Sequence, residues 1–349
     1  MKDYLIIGAG LAGISFAETA YLNYKSFTVV NDNSQSSTVI AAGLYNPIIL
    51  KRFSLPMDAA KHLAYIKPFY NTIEQRLSVK FDYEIPVYRK FASIEEQNSW
   101  FEAADKPALS PFLSTDIIHT KFECLPSPYG FGRVLHTGYV DTGILLNSYH
   151  KFLKDQNSFV QESFDYNALV ISEDYVEYRD LKFRHVIFAE GFGIHANPYF
   201  SYLPLDGTKG ELLVINAPDL KLDAAVNASI FILPSGNDLY KVGATYEWYD
   251  KTQGPTDEGK AELVGKLNEL ITCDYEIVSH FAGIRPTVKD RKPLIGTHPK
   301  YERLHILNGL GTRGVMLGPP MAIELYNSIE TKHIIEKAIN LSRFKFDDK

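Results

Sequence analysis

Tyr4-Leu5-Ile6-Ile7-Gly8-Ala9-Gly10-Leu11-Ala12-Gly13-Ile14 begins with four apolar residues and continues with three glycines in a GxGxxG spacing. Tyr4 to Ile7 reads as a short strand without a polar face, the pattern of a strand buried on both sides. Ile14 to Leu22 reads as a helix and Phe27 to Val30 as a second strand, so the glycines stand where a strand turns into a helix. In that frame Gly8 permits the tight turn, Gly10 lets the backbone approach a pyrophosphate, and Gly13 lets helix and strand pack closely. The turn through Leu11 and Ala12 opens the helix, whose unpaired N–H groups and positive dipole end favour phosphate. A bound dinucleotide is the expectation. The second strand of such a unit normally ends in an acid that binds a ribose hydroxyl. Asn31 occupies that place and Asp32 follows one residue late. Either can serve, and Asp32 can equally just begin a turn.

Around this unit, composition narrows the field. A chain of 349 residues suggests two domains, possible in discontinuous pieces. With 45% hydrophobic and 22% charged residues, neither disorder nor a fibrous repeat is indicated. The 22 Tyr and 21 Phe suit a core, and also a pocket with apolar walls and orienting hydroxyls. A net charge of −6 without an offsetting basic block argues against a nucleic-acid partner; Lys51-Arg52 and the cluster Lys289 to Lys292 are short. Cys124 and Cys273 lie far apart in sequence, so no disulfide framework is expected, and no CxxC, HxH or HExxH spacing points to a metal. The apolar run Leu5 to Ala17 is broken by glycines and follows Asp3, unlike a signal peptide. No run has the length of a membrane span. A cytoplasmic location is the expectation, and the oligomeric state is left open.

NAD and FAD share the glycine spacing, and later segments decide between them. Ser36-Ser37-Thr38-Val39-Ile40-Ala41-Ala42-Gly43-Leu44-Tyr45-Asn46-Pro47 resembles the flavin-facing loop of the D-amino-acid oxidase family, which includes glycine oxidase and sarcosine oxidase. The resemblance implies that the hydroxyls of Ser36 and Ser37 reach the pyrophosphate and that Ala42-Gly43-Leu44 runs beside the isoalloxazine ring. His185 to Gly191 is similar to the family's later strand, with Ala189 and Gly191 near the cofactor. Gly207-Thr-Lys-Gly210-Glu211 resembles the crossing into the substrate domain, and Gly138-Tyr-Val-Asp141 the turn back from it. Leu304 to Leu307 reads as a strand before Asn308-Gly309-Leu310-Gly311-Thr312-Arg313-Gly314-Val315. A helix starting near Val315 would aim its N–H groups at the flavin pyrimidine. The most specific segment, Phe281-Ala-Gly283-Ile284-Arg285-Pro286-Thr287 with Asp290 and Pro293-Leu-Ile-Gly296, looks like the family's G[IL]RP…D…P-IG signature. Relatives with covalent flavin carry a cysteine after the arginine motif. This chain has none there, which implies non-covalent FAD.

The resemblance implies an α/β fold: a Rossmann-type FAD-binding domain (residues 1–80, 139–205 and 281–349) interleaved with a mixed-sheet α+β substrate domain (81–138 and 206–280). Within the latter, Ser229 to Leu233 and Leu239 to Thr245 alternate like strands, and Asp257 to Ile271 reads as an amphipathic helix; about residues 80 to 135 remain without a reading. In the family the residue matching Arg285 anchors a substrate carboxylate, a task its planar fork suits; a structural ion pair is the alternative. Lys241 is similar in placement to the lysine that promotes oxygen reduction in sarcosine oxidase, or else is a solvent-facing strand lysine. Tyr246 either contacts substrate or packs in the core. The expected activity is FAD-dependent oxidation of a small amino acid or secondary amine. A modified nucleobase or a 2-hydroxy acid as substrate, or a redox-silent FAD-binding protein, are the alternatives.

Overall fold

The protein is described by a computed structural model covering residues 1–56, 58–119 and 121–346. Strand Lys2–Ile7 lies between Phe27–Asn31 and Leu181–Phe188, parallel to both. Tyr4 and Ile6 enter one core while Leu5 and Ile7 enter another on the opposite face, which is why the run carries no polar alternation. Phe159–Gln161 and Leu304–Asn308 extend the parallel set on either side. The antiparallel strand Leu294–Thr297 and the hairpin Leu169–Ile171/Val176–Tyr178 complete an eight-stranded sheet.

Helix Leu11–Leu22 starts three residues earlier than the apolar pattern suggests, because Gly10 is its N-cap. It lies against helix Gly314–Thr331 where small residues allow it: a Cβ on Gly314 would stand 2.8 Å from Leu11 Cδ1, and one on Gly318 would stand 2.8 Å from Ser15 Oγ. The buried Glu18 in this layer receives both prongs of Arg76, Nη1 at 2.9 Å, and the Tyr149 hydroxyl at 3.0 Å. A buried carboxylate is tolerated only with such partners.

The second eight-stranded sheet runs Glu276–Arg285, Thr208–Asn216, Leu239–Gly243, Phe231–Pro234, Ala225–Asn227, Val87–Lys90, Phe131–Val134, Leu113–Ile118. It is mixed: Ala225–Asn227 and Val87–Lys90 are parallel and the other pairs antiparallel. Helix Asp257–Asn268 covers one face with Leu263 and Leu267, and the Thr256 hydroxyl caps it by accepting from Gly259 N–H at 3.0 Å. The stretch near residues 80 to 135 supplies three of these strands and helix Ile94–Ala104. Of these strands only Leu113–Ile118 exceeds four residues, and its Leu-Ser-Thr-Asp-Ile-Ile does not alternate.

The sheets also move the expected edges. All of Glu276–Arg285 lies in the second sheet, so Phe281 to Arg285 belong there and not with the first, as their ladder with residues 208–212 requires. Asp82–Glu84 pairs with Gly138–Val140, which also pairs with Leu44–Tyr45, in a small third sheet. Residues 347–349 of the C-terminal piece lie outside the described residues.

Candidate active site

A cavity of about 1340 Å³ lies between the two large sheets. Small-molecule sites usually occupy about 300–1,000 Å³, so this one has room for a large ligand and a small one. Its first end is lined by Gly8 to Ala12, Asn31, Asp32, Glu162 to Phe164 and Ala189 to Gly191.

The three glycines meet different surroundings. Gly8 has φ +96°, and a Cβ there would stand 2.4 Å from Ala189 O. A Cβ on Gly13 would stand 1.9 Å from Gly8 O; Gly13 is a packing residue and does not line the cavity. Around Gly10 the only near atom is Thr38 Oγ1, at 3.1 Å. A Cβ there would crowd that hydroxyl, a side-chain atom that can shift, and Gly10 itself lies on the cavity wall. Asn31 and Asp32 both line this end, in different states. The Asn31 side-chain oxygen accepts from Ala9 N–H at 3.0 Å and so ties the strand to the glycine turn. Asp32 accepts from Ser34 N–H at 2.9 Å and the Ser163 hydroxyl at 2.8 Å. Burial pushes its pKa up, but these bonds outweigh it and hold the carboxyl below its ordinary value.

Sequence reasoning gave no role to several residues here. Glu162 to Phe164 follow a strand of only three residues, which leaves no pattern to read. His150, on helix Thr142–Asp155, places Nε2 3.0 Å from Ala9 O. Glu190 accepts from the Tyr166 hydroxyl and from Asn197 Nδ2 at 2.7 Å. Burial, assisted by the charge of Asp32, pushes its carboxyl up to about 7 despite those bonds.

The other end is lined by Ala42 to Leu44, Gly210, Tyr246, Gly283, Arg285 and Gly311 to Val315, with Ser36 and Ser37 between the ends. Gly283 lets helix Ser37–Ile40 come close: a Cβ there would stand 3.3 Å from Ser37 Cα. Arg285 lies back across Gly210, where a Cβ would stand 1.9 Å from Nη2. Its Nη1 donates to Thr245 O at 3.3 Å and Lys209 O at 3.5 Å, and the Tyr246 ring covers the guanidinium at 4.6 Å. Among the described residues no carboxylate pairs with it, and burial lowers its pKa. Tyr246 is 62% exposed, so it is no core residue. A buried pairing holds its segment down: Lys209 Nζ donates to Asp250 at 2.6 Å and Thr252 at 2.9 Å. Gly311 N–H donates to Pro286 O at 3.1 Å and joins the arginine segment to the start of helix Gly314–Thr331. Arg313, the N-cap of that helix, is a second guanidinium without a paired carboxylate among the described residues; burial lowers its pKa too.

Besides Gly13, two further expected site residues are not brought to the wall. Gly309, with φ +72°, shapes the turn after Leu304–Asn308, where a Cβ would stand 2.5 Å from Val288 Cγ2. Lys241 sits mid-strand opposite Val214 and Leu233. Burial lowers its pKa, against the attraction of Asp141. Among the described residues no cluster could hold a metal ion, and no helix is long and apolar enough to cross a membrane.

A parallel sheet with a glycine-lined cradle at its strand ends, facing a mixed sheet that carries cations, defines a dinucleotide-dependent enzyme of two interleaved layers. The family model described as FAD dependent oxidoreductase, DAO, matches residues 3–327, and the chain belongs to that family. Glycine oxidase of Pseudomonas aeruginosa is 24% identical over 337 residues, covering 90% of this chain and 91% of that protein. Glycine oxidase of Bacillus subtilis is 26% identical over 162 residues, 44% of this chain and 43% of its own length. The crystal structure of glycine oxidase from Geobacillus kaustophilus superposes with a TM-score of 0.81 at 19% identity, covering 99% of both chains, and speaks to the fold. FAD is the cofactor of this family, and the residues fit it: Gly10, without a side chain, and the helix start at Leu11 lie on the cavity wall and suit a diphosphate, and the cavity continues to the two arginines.

Proposed function

We propose that the protein oxidises the carbon–nitrogen bond of a small amino acid or secondary amine that carries a carboxylate. When bound, FAD supplies the chemistry by accepting a hydride at N5. The observation that carries this reading is Arg285: a guanidinium on the cavity wall, only partly exposed, with no carboxylate paired to it among the described residues. Leaving a buried cation unpaired is costly, and an anionic ligand offsets that cost. Tyr246 and the carbonyls of Lys209 and Thr245 fix the plane of the fork, so a carboxylate would dock in one orientation and bring its α-carbon to a defined place. Arg313 adds positive charge at the same end. Orientation of this kind carries most of the catalysis in a cofactor enzyme whose substrate amine arrives neutral. At the far end Asp32 is the favoured ribose acceptor, because Asn31 is engaged with Ala9. Neither cysteine lines the cavity, in keeping with FAD held without a covalent bond.

The test is anaerobic mixing of the flavin-loaded protein with glycine, sarcosine and a panel of other amino acids while the oxidised flavin band is followed. Bleaching by a carboxylate-bearing amine is the expected result. Bleaching by 2-hydroxy acids alone would reassign the substrate class, and no bleaching by any of these donors would reject the proposal.

A further inference from the structure

Cys124 and Cys273 are the only cysteines in the chain, and the fold places them together. Thr272 N–H donates to Cys124 O at 2.9 Å, which lays the segment after helix Asp257–Asn268 along the loop between strands Leu113–Ile118 and Phe131–Val134. Both side chains pack at the edge of the same apolar core beneath the second sheet. The thiols are close enough to interact: burial, and next the adjoining Cys124 thiol, push the Cys273 thiol above its ordinary pKa. Both residues are free and half-buried, within reach of a small oxidant.

We propose that this pair is a redox modification site, closing to an intramolecular disulfide when hydrogen peroxide reaches it. A direct backbone bond one residue away sets the two chains side by side, as a disulfide needs, with its Cα atoms about 4.4–6.8 Å apart. The Cys124 sulfur, giving up its proton, attacks the peroxide, and Cys273 is the resolving thiol. The O–O bond breaks, the departing oxygen leaves as water after gaining a proton, and Cys124 becomes a sulfenic acid. The Cys273 sulfur then attacks the Cys124 sulfur; the S–S bond forms, the S–O bond breaks, and a second water leaves with the Cys273 proton. Two thiols lose two electrons and two hydrogens while one peroxide becomes two waters. The bond restrains a long loop in the unfolded chain and so stabilises the fold. Neither residue touches the cavity, so the flavin site is left unchanged.

The experiment treats flavin-loaded protein with a small excess of hydrogen peroxide and reads thiols under denaturing, non-reducing conditions alongside peptide mass analysis. Titratable thiols should fall from two to none. One cross-linked peptide pair should span Cys124 and Cys273, and dithiothreitol should reverse both changes. The thermal midpoint should rise by on the order of 5 °C with the flavin spectrum unchanged. Cys273→Ser should give neither the cross-link nor the thermal shift. Thiols lost without that peptide pair, a covalent dimer, or two thiols persisting after treatment would each overturn the proposal.

Discussion

The two ends of the cavity are built by opposite means. At the dinucleotide end the decisive positions are glycines, and what matters is the side chain each one lacks. Gly8 and Gly13 have backbone atoms where a Cβ would go, whereas at Gly10 a Cβ would meet the Thr38 hydroxyl, a side-chain atom, on the cavity wall. At the substrate end the decisive groups are long cationic side chains, and what matters is the partner each one lacks. Arg285 and Arg313 line the wall without a paired carboxylate among the described residues, although carboxylates are plentiful in the chain. On the function proposed above, the first end receives phosphate through the main chain and the second receives an anion through its charge. A change at the first end should therefore alter folding or cofactor affinity, and one at the second should alter turnover with the cofactor retained.

The strongest test of this contrast lies within the glycine motif itself. Gly13→Val would force a Cβ to 1.9 Å from Gly8 O, backbone against backbone, a core clash expected to exceed about 4 kcal/mol. No cooperatively folding protein should be recovered, as read by thermal unfolding. Gly10→Val should keep the fold, yet lower FAD affinity about ten- to a hundredfold, since overpacking costs about 1–3 kcal/mol. If Gly10→Val unfolds as Gly13→Val does, the distinction between packing and cradle positions fails.

Next come the cations. Arg285→Ala should lower kcat/KM for a carboxylate substrate by about 2–5 kcal/mol, the range for truncating one partner of a buried charge pair, with FAD affinity unchanged. Gly210→Ala sharpens this: its Cβ meets only the end of the flexible Arg285 side chain, so the fold should hold while the guanidinium leaves its seat. Steady-state kinetics should place it between wild type and Arg285→Ala. A Gly210→Ala enzyme with unaltered kinetics would show that the seat of Arg285 is immaterial.

Glu190 provides a pH-dependent probe of the first end. Its carboxyl titrates near 7 in the folded protein, against an ordinary 4.5. Between those values the unfolded chain loses this proton while the folded chain keeps it. The contribution is therefore fully present below pH 4.5 and is lost as pH rises to about 7. Chemical denaturation across this window should show wild type losing on the order of 1–3 kcal/mol relative to Glu190→Gln. Parallel pH profiles for the two proteins would contradict this account. The smallest effect is expected at Lys241, off the cavity wall. Lys241→Met should leave both flavin reduction and reoxidation within about twofold, the scale of a substitution that touches no critical feature. A large and selective slowing of reoxidation would place its amine at the flavin after all.

The sequence by itself determined the opening strand–turn–helix–strand unit, Tyr4 to Val30, because its features are local. A buried parallel strand is written as an uninterrupted apolar run, and close backbone approach is written as glycine at fixed spacing, so Tyr4 to Gly13 can be read without a partner in view. Family resemblance carried the reading on to Arg285 and to the helix after Arg313. Tertiary structure alone decided what depends on neighbours remote in sequence. It brought Tyr246 and Gly210 onto Arg285, joined Ser163 to Asp32, surrounded Glu190 with Tyr166 and Asn197, and set Cys124 beside Cys273. It also left Lys241 in mid-strand, away from the cavity wall. The physical reason is that backbone conformation follows from a residue and its near neighbours. Whether a charge is paired, a carboxyl keeps its proton or a thiol has company depends on which distant segments the packed sheets press together.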